Sequence, residues 1–470
     1  MNNIEKIKNI IQNDEFINLI RPYLKEVECY LVGGFLRDLA TGEISHDRDL
    51  IVKSDVAKNL AKAIADGTDS HFVPLDEENK IYRVVMPDKT NYFDISAMLE
   101  DNLDKDIHRR DLTINSLAYD INRDEVVDKV GAVSDFENKI LRTSDLKNFV
   151  DDPLRMLRAY RFSAKYNFVI DKEIEDFIKN NLELIEKPAK ERINTEIMKL
   201  FGGKYSDLAL LKMNEVGLLD VIFPVMKEVK KIPPNTHHHL DLQHHLIETV
   251  RQVQRNYENL PDERRKVLEN MEFGGYPRIA FLKFAAFMHD IGKPDTWTID
   301  EETGRHRFIM HDDVGSKKIV PIMKDLKFSK KQIAYVQKMI KFHIYPSSLV
   351  WQEVAGSKAH LKFYRKMYPY FEDVIILAIA DRLSAMGEAI TADMVVQNLS
   401  NLSILLEECF EYGSAVASPK PFLTGNEVME ITGLKQSKAL GDIVKALYSE
   451  QLDGNISSRE EAIEFVKKKT

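Results

Sequence analysis

The pattern of apolar residues changes near residue 150, and this change constrains the fold more than any other feature of the sequence. Short runs rich in β-branched residues come before it: Cys29–Val32, Asp49–Val52, Ile81–Met86 and, more weakly, Val126–Asp128. After it, segments such as Arg155–Tyr166 and Lys172–Ile185 repeat apolar residues with the period of a helix. The sequence therefore predicts a multi-domain α+β protein, with a mixed α/β head containing a small sheet and all-α regions after it.

The length of the chain calls for several domains. At 470 residues it exceeds what one hydrophobic core normally supports. Pro233-Pro234 and the segment PKPFLTG at 419–425 are typical of domain boundaries. We predict four domains, at residues 1–145, 146–232, 233–395 and 396–470.

Composition limits the class of protein. Hydrophobic residues make up 44% of the chain, which excludes wholesale disorder. The net charge of −9 gives no indication of a nucleic-acid partner, because proteins that bind phosphate backbones by bulk charge are usually basic. The chain has only two cysteines, and its longest apolar run, Val374–Ala380, is too short to span a membrane. The first residues lack the apolar core of a signal peptide. These features predict a cytoplasmic protein with no membrane partner.

A glycine pair and three aspartates form the first candidate site. Gly33 and Gly34 separate a predicted strand from a predicted helix, where a backbone can approach a phosphate closely and Arg37 can add hydrogen bonds. Asp47 and Asp49 lie two apart on the next strand and so face the same side. Their repulsion calls for a divalent cation such as Mg²⁺, and Asp94, at the end of a later predicted strand, completes the set. A tight turn with solvated aspartates is the alternative interpretation.

Two further motifs supply polar groups suited to a nucleotide. In RRDLTINSLA (109–118), Arg110, Asp111 and Asn115 offer donors and acceptors for a triphosphate and a ribose, although Asp111 also suits a helix cap. In DDPLRMLRAYR (151–161), Asp152 and Arg155 share a predicted helix face that begins at Pro153. That pair could recognise the edge of a base, and a cap with an ion pair explains it equally well.

Together these motifs resemble the tRNA nucleotidyltransferase and bacterial poly(A) polymerase family, class II of the polymerase-β-like nucleotidyltransferases. The matching segments occur in the family's order: LVGGFLRD, DRD, RRDLTINSLA, VDKVGAVSDFENKILR and DDPLRMLRAYRF. Residues 423–468 look similar to the family's tail. The resemblance implies a nucleotidyltransferase head, a helical neck and body, and a helical tail, with the tRNA 3′ end, CTP and ATP as partners.

The resemblance also implies roles for individual residues. The catalytic residues would be Asp47, Asp49 and Asp94, the first two binding Mg²⁺. The nucleotide would be bound by a larger set: Gly33, Gly34, Arg37, Arg110, Asp111, Asn115, Asp152, Arg155 and Arg158. Asp152 and Arg155 would select C or A by hydrogen bonds from the protein. Asp151 stands where the family usually has Glu, one residue before the selecting acid.

The segment between Asp94 and Arg109 departs from many CCA-adding members of the family. Only fourteen residues intervene, where those members carry a longer loop that helps switch specificity from C to A. The short segment makes a CC-adding enzyme an alternative to a CCA-adding one.

A histidine-rich region predicts a second site. Its informative residues are His245, His289, Asp290, His311, His343 and Asp381. Imidazole and carboxylate together suit divalent transition metals. The set resembles the HD phosphohydrolase domain, which implies His245, His289, Asp290 and Asp381 as ligands, His311 and His343 at a second metal position, and an ion such as Ni²⁺ or Mn²⁺.

The resulting prediction is a template-independent CCA-adding or CC-adding enzyme, which adds C, either alone or followed by A, to the tRNA 3′ end and carries a metal-dependent phosphohydrolase site. The alternatives are a bacterial poly(A) polymerase, a protein that is mainly an HD-type phosphohydrolase, and an RNA-binding protein without turnover. Retention of both Asp47 and Asp49 argues against a decayed head.

Overall fold

A computed structural model describes residues 3–43, 45–351, 357–412, 420–452, 455–456 and 458–469. The chain divides into two compact units, residues 1–224 and 225–470. The finer division into four domains stays a prediction.

A single mixed sheet organises the first unit. Its seven strands are β1 (Cys29–Val32), β2 (Asp47–Val52), β3 (His71–Asp76), β4 (Ile81–Val85), β5 (Tyr92–Ala97), β6 (Ala118–Asp120) and β7 (Glu125–Val127). Their spatial order is β3-β4-β5-β2-β1-β6-β7, and the β2–β5 pair is parallel. Buried Leu50, Ile51 and Val52 anchor β2 in the middle of the sheet. The polar first half of β2 is thereby fixed beside β5.

Twelve helices surround or follow this sheet among the described residues of the first unit. They are α1 (Asn3–Gln12), α2 (Glu15–Leu24), α3 (Gly34–Thr41), α4 (Ala57–Gly67), α5 (Leu103–His108), α6 (Ala132–Asn138), α7 (Lys147–Asp151), α8 (Leu154–Tyr166), α9 (Lys172–Asn180), α10 (Lys190–Gly202), α11 (Ser206–Glu215) and α12 (Leu218–Ile222). Two short strands, β8 (Ile140–Leu141) and β9 (Val169–Ile170), pair in parallel. The predicted helix Lys172–Ile185 is too long, because α9 ends at Asn180 and a 3₁₀ turn covers Leu182–Glu186.

Among its described residues, the second unit is helical apart from one hairpin, β10 (Trp297–Ile299) with β11 (His306–Phe308). Its helices are α13 (Met226–Val229), α14 (Leu242–Glu258), α15 (Asp262–Leu268), α16 (Arg278–Met288), α17 (Lys293–Thr296), α18 (His311–Asp325), α19 (Lys330–Phe342), α20 (Tyr345–Trp351), α21 (Ser357–Met367), α22 (Phe371–Ser384), α23 (Ala392–Glu411), α24 (Gly425–Thr432), α25 (Lys438–Leu452) and α26 (Arg459–Lys468).

Helix α16 lies at the centre of this unit. Every one of its residues is buried, and it packs against α14, α19 and α22. An apolar helix with no polar face is expected to be enclosed in this way. The last three helices pack around a separate cluster that includes Leu423, Val428 and Leu447.

The multi-domain α+β fold predicted from the sequence is confirmed. Within the described ranges, no helix combines the length and the apolar character needed to cross a membrane. Cys29 and Cys409 are buried free thiols.

Candidate active sites

Three carboxylates converge on adjacent strands of the first unit. Asp47 and Asp49 project from the same side of β2, as residues two apart on a strand must. The parallel pairing places Asp94 of β5 directly opposite Asp49. One oxygen from each of the three lies within 4.8 Å of the others. Asp94 is the third residue of six in β5, not the end of a strand as predicted, so its position depends on strand register rather than on strand termination.

The electrostatics of these carboxylates call for a cation. Burial raises the pKa of Asp49 to about 7, and the charges of Asp47 and Asp94 add to the rise. Burial, followed by the charge of Asp94, also raises the pKa of Asp47. Crowded anions are stabilised by a cation among them, and a ligand set made only of carboxylate oxygen suits Mg²⁺. The residues therefore fit the ion that the family resemblance implies.

Arg83 is a member of this site that the sequence motifs did not identify. It lies on β4 opposite Asp94, and its Nε and Nη2 donate to the two carboxylate oxygens at 2.8 and 2.8 Å. The side chain thus fixes the plane of the third carboxylate. Only the register of the β4–β5 pair reveals this contact, and the linear sequence does not specify that register.

The glycine turn borders the same carboxylates. Gly33 has a φ of +79°, and a Cβ atom there would lie 2.7 Å from Oδ2 of Asp49. Both the left-handed backbone and the close approach require glycine. Helix α3 begins at the next residue, so its first turn lies beside the three carboxylates.

A cavity of about 310 Å³ connects Asp49 with the predicted nucleotide-binding residues. All nine of those residues line it: Gly33, Gly34, Arg37, Arg110, Asp111, Asn115, Asp152, Arg155 and Arg158. Leu154 and Arg192 complete the lining. Four separate sequence motifs therefore meet in one space.

A chain of hydrogen bonds crosses the floor of this cavity. Arg158 Nε donates to Asp111 Oδ2 at 2.6 Å, and Asn115 Nδ2 donates to Asp111 Oδ1 at 2.8 Å. Arg37 Nη1 donates to Asn115 Oδ1 at 2.8 Å. Burial alone would raise the pKa of Asp111, but the charge of Arg158 and the hydrogen bond from Asn115 outweigh it and lower that pKa. Asp111 is therefore ionised at neutral pH and fixes the orientation of its neighbours.

A buried acid orients the paired arginines next to the cavity. Asp106 is fully buried, and its two oxygens accept from Arg109 Nη2 and Arg110 Nη2, each at 2.9 Å. Arg110 Nη1 also lies 3.5 Å from the carbonyl of Asn115. The guanidinium of Arg110 is thus directed along the cavity wall, where it can meet an anion.

The predicted base-recognition pair is arranged differently from the expectation. Helix α8 begins at Leu154 with Pro153 as its N-cap, so Asp152 precedes the helix and does not share a helix face with Arg155. Each side chain has its own partner. Arg192 Nη2 on α10 donates to Asp152 Oδ2 at 2.8 Å, and Arg155 Nη1 donates to the carbonyl of Asn148 at 3.1 Å. Sequence reasoning missed Arg192, because it lies forty residues from Asp152.

The histidine-rich region forms a second cluster, in the second unit. His245 on α14, His289 and Asp290 after α16, and Asp381 on α22 bring their ligand atoms within 4.8 Å of one another. His245 Nε2 lies 3.2 Å from Asp381 Oδ1, and His289 Nε2 lies 3.2 Å from Asp290 Oδ2. The structure thus assembles the four residues predicted as the first set of metal ligands.

Asp290 joins this set to a second one. Its Oδ1 lies 3.1 Å from His311 Nε2 and 3.5 Å from His343 Nε2, while its Oδ2 faces the first set. The three residues form a separate group of potential ligands. One carboxylate shared between two groups is the arrangement that would bridge a pair of ions.

The imidazole tautomers favour metal binding. The Nδ1 atoms of His289, His311 and His343 lie 2.8, 2.7 and 2.7 Å from backbone carbonyl oxygens, so each Nδ1 carries a hydrogen. Each Nε2 faces the cluster, where it is the atom available to a metal. Burial alone would lower the pKa of His289, but Asp290 and Asp381 raise it to about 10. A cation bound beside these carboxylates would therefore be stabilised electrostatically. The mixture of nitrogen and oxygen ligands fits a divalent transition metal.

Basic side chains lie close to this cluster. They line a cavity of about 390 Å³ that also contains Asp290 and Asp381. Lys293 Nζ lies 2.5 Å from Asp290 Oδ2, and Arg305 Nη2 lies 3.2 Å from His237 Nε2. Arg382 follows Asp381 on α22 and lines the same cavity. A cavity that combines ligand-type residues with cations suits a phosphate ester.

Three family models match parts of the chain. Residues 29–142 match the poly(A) polymerase head domain, and residues 167–230 match a probable RNA- and SrmB-binding site of polymerase A. Residues 301–466 match a model described as a putative second domain of tRNA nucleotidyltransferase. The first match contains the three carboxylates of the head.

Relatives of similar length carry related activities in their names. The chain is 28% identical to an A-adding tRNA nucleotidyltransferase of Deinococcus radiodurans, over 93% of this chain and 94% of that protein. It is 26% identical to a CC-adding tRNA nucleotidyltransferase of Thermus thermophilus, over 95% and 94%.

Solved structures share the fold. A CCA-adding enzyme in complex with CTP aligns with a TM-score of 0.63 at 19% identity, over 98% of this chain and 97% of that one. A Thermotoga maritima CCA-adding enzyme complexed with tRNA aligns with a TM-score of 0.60 at 19% identity, over 98% and 97%.

Proposed function

Because this chain belongs to the family of tRNA nucleotidyltransferases and bacterial poly(A) polymerases, we propose that it adds C, either alone or followed by A, from CTP and ATP to the 3′ end of tRNA without a nucleic-acid template. One observation carries the proposal. The 310 Å³ cavity joins Asp49 of the carboxylate cluster to Asp152 and Arg155, so that a metal site and a base-recognition site share one space. We assign the reaction to the cytoplasm, where reducing conditions keep Cys29 and Cys409 as free thiols.

Each part of the cavity supports one part of the reaction. Mg²⁺ bound by Asp47, Asp49 and Asp94 would supply charge neutralisation for the triphosphate and would lower the pKa of the RNA hydroxyl. Arg37, Arg110 and Arg158 line the cavity, where their guanidinium groups can bind phosphate oxygens bidentately. Asp111 and Asn115 offer an acceptor and a donor to the ribose.

One donor–acceptor pair can select both C and A. Each of these bases presents an amino group beside an unprotonated ring nitrogen. The carboxylate of Asp152 would accept from the amino group, and the guanidinium of Arg155 would donate to the ring nitrogen. U and G present a carbonyl oxygen in place of the amino group, so they would leave the carboxylate facing another acceptor.

The short segment after Asp94 bears on the number of addition steps. The fourteen residues up to Arg109 contain the end of β5, a 3₁₀ turn at Leu99–Asp101 and α5. In the family, such a short segment supports CC addition, and the relatives of similar length include separate CC-adding and A-adding enzymes. A poly(A) polymerase is the second candidate for the head.

Incorporation assays separate these possibilities. The protein is incubated with Mg²⁺, each labelled nucleotide in turn, and tRNA transcripts that end before CCA, after C or after CC. The proposal predicts addition that stops at the mature 3′ end. CMP incorporation alone identifies a CC-adding enzyme, and AMP incorporation only on transcripts ending in CC identifies an A-adding one. A long A-tail on any RNA identifies a polymerase, and no incorporation with intact RNA binding identifies a binding protein.

We further propose that the histidine cluster is a metal-dependent phosphohydrolase site. The shared carboxylate of Asp290, set between two groups of imidazoles, carries this proposal. Ni²⁺ or Mn²⁺ held by these residues would activate a water for attack on a phosphate ester. Lys293, Arg305 and Arg382, which line the same cavity, would bind the phosphate oxygens.

Phosphate release from a 2′,3′-cyclic nucleotide tests this second site. With Ni²⁺ or Mn²⁺ added, the activity is expected in the wild-type protein and in Asp49→Ala. It should vanish in Asp290→Ala. Release that persists in Asp290→Ala, or that depends on Asp49, contradicts the assignment.

A further inference from the structure

Asp152 and Arg155 both line the nucleotide cavity, but their side chains are not hydrogen-bonded to each other. Each is oriented by a different partner. Arg192 approaches Asp152 from α10, and the carbonyl of Asn148 accepts from Arg155. Asn148 is itself anchored, because its Nδ2 donates to the carbonyls of His108 at 2.8 Å and Arg110 at 2.9 Å. The acceptor and the donor are thus held apart by the surrounding protein.

We propose that Arg192 is a positioning residue for nucleotide selection, an inference that rests on the proposed transferase function. Its guanidinium donates to Oδ2 of Asp152, while Oδ1 lies 3.3 Å from the backbone nitrogen of Leu154. These contacts fix the plane of the carboxylate. Because a carboxylate oxygen has two lone pairs, Asp152 keeps free acceptor positions for the amino group of a base.

Loss of Arg192 would leave Asp152 with a competing partner. Asp152 is close enough to Arg155 to act on it electrostatically. Without Arg192, Asp152 and Arg155 can form an ion pair with each other. In that ion pair, the carboxylate no longer accepts from a base and the guanidinium no longer donates to one. Arg192 therefore acts by keeping the selecting residues apart as well as by orienting one of them.

The solvent exposure of the Arg192–Asp152 ion pair distinguishes a role in nucleotide selection from a role in stabilising the fold. The Arg192 side chain is 54% exposed and that of Asp152 is 31% exposed. Ion pairs this exposed contribute little to the free energy of unfolding. Removal of Arg192 should therefore change selectivity with little change in stability.

The test compares Arg192→Ala and Arg192→Lys with Lys187→Ala, a matched control that removes another exposed cation of the same unit. Single-turnover kcat/KM is measured for CTP and for UTP on a transcript lacking CCA, or for ATP and GTP if only A is added. In Arg192→Ala, the preference for the correct base should fall roughly tenfold, because one charge-assisted hydrogen bond is lost. Arg192→Lys should restore part of it. Lys187→Ala should retain it, and all melting temperatures should stay close to wild type.

A double variant adds a stricter criterion. If Arg192 acts through Asp152, Arg192→Ala should cause no further loss of selectivity in an Asp152→Ala background. A raised KM for tRNA with unchanged base preference would mean that Arg192 binds RNA, and it would overturn the inference while leaving the transferase function intact. Absence of any incorporation by the wild-type protein would overturn both.

Discussion

The backbone conformation of one residue determines how closely the glycine turn approaches the carboxylates of the proposed metal site. Gly33 has a positive φ, and a Cβ there would overlap Asp49. Gly33→Ala should therefore lower incorporation by on the order of a hundredfold, because displacing a catalytic group by about 1 Å has an effect of that size. Nucleotide incorporation assays measure the loss of activity, and urea unfolding measures the change in the free energy of unfolding.

Gly131→Ala is the matched control for this prediction. Gly131 has a φ of +80°, but nothing lies within 4 Å of its Cβ position. Both variants should lose about 1–2 kcal/mol of unfolding free energy from the left-handed backbone. Only Gly33→Ala should lose activity, and equal activities would show that the contact with Asp49 does not matter.

The raised pKa of Asp49 predicts pH-dependent metal binding in the head. Asp49 is protonated below a pH of about 7 in the metal-free protein, and a bound cation must displace that proton. The affinity for Mg²⁺ should therefore fall about tenfold per pH unit below 7 and level off above it. Calorimetric titration between pH 6 and pH 8 checks the slope. Asp49→Asn should bind weakly with little pH dependence, and a wild-type affinity that does not change with pH would contradict the account.

Residues of the head site differ in how visible they are in the sequence. The spacing of Asp47 and Asp49 indicates a shared face because side chains alternate along any strand. Arg83 and Arg192 carry no such signal. The first depends on the register between β4 and β5, and the second on how α10 packs near α8. Both are products of long-range packing.

At the scale of secondary-structure elements, the end of α16 and its neighbours α14, α18, α19 and α22 bring together the proposed second metal site. His289 and Asp290 follow the last turn of α16, which buries them against α14 and α22. Asp290→Asn should therefore reduce binding at both ion positions, because the shared carboxylate is lost, whereas His343→Ala should weaken one position only. Metal analysis after dialysis against Ni²⁺ or Mn²⁺ measures the stoichiometry.

Asp262→Asn serves as the control for the metal analysis, since Asp262 is exposed on α15. It should bind metal like the wild type. Full metal occupancy in Asp290→Asn would show that Asp290 does not bridge two ions. Circular dichroism distinguishes lost ligands from lost folding.

Elements were predictable where their apolar patterns were strong. Helix α8 and strand β1 were evident from the pattern of their apolar residues. Strand β3 was not, because it is an edge strand that contains Pro74 and is largely exposed. Helix α9 ends before its apolar pattern does, since the following residues continue as a 3₁₀ turn.

For the whole molecule, the two sites lie in separate compact units and draw on different ligand chemistry. Substitutions at one site should therefore leave the other unchanged. Asp49→Asn should abolish nucleotide incorporation with normal phosphate release, and Asp290→Asn should do the reverse. Parallel assays of both activities on the same preparations check this. Loss of both activities in either folded variant would contradict independent sites.

The acidic charge of the chain no longer argues against an RNA partner. Residues 151–232 contain 15 Lys and Arg against 14 Asp and Glu, so the neck is close to neutral. RNA binding must then depend on shape and on the placement of individual cations. Sequence composition gives only the net charge of the chain. The spacing of Asp47 and Asp49 indicates that these two carboxylates can bind a cation together.

Labelled nucleotide incorporation by Asp49→Asn, compared with wild type and with Asp55→Asn, tests the central claim most directly. Asp55 is an exposed aspartate of the same head. Wild type and Asp55→Asn should extend a tRNA transcript lacking all or part of CCA in the presence of Mg²⁺, CTP and ATP, and Asp49→Asn should not. Equal extension by a folded Asp49→Asn protein, or no extension by the wild type, would contradict the account.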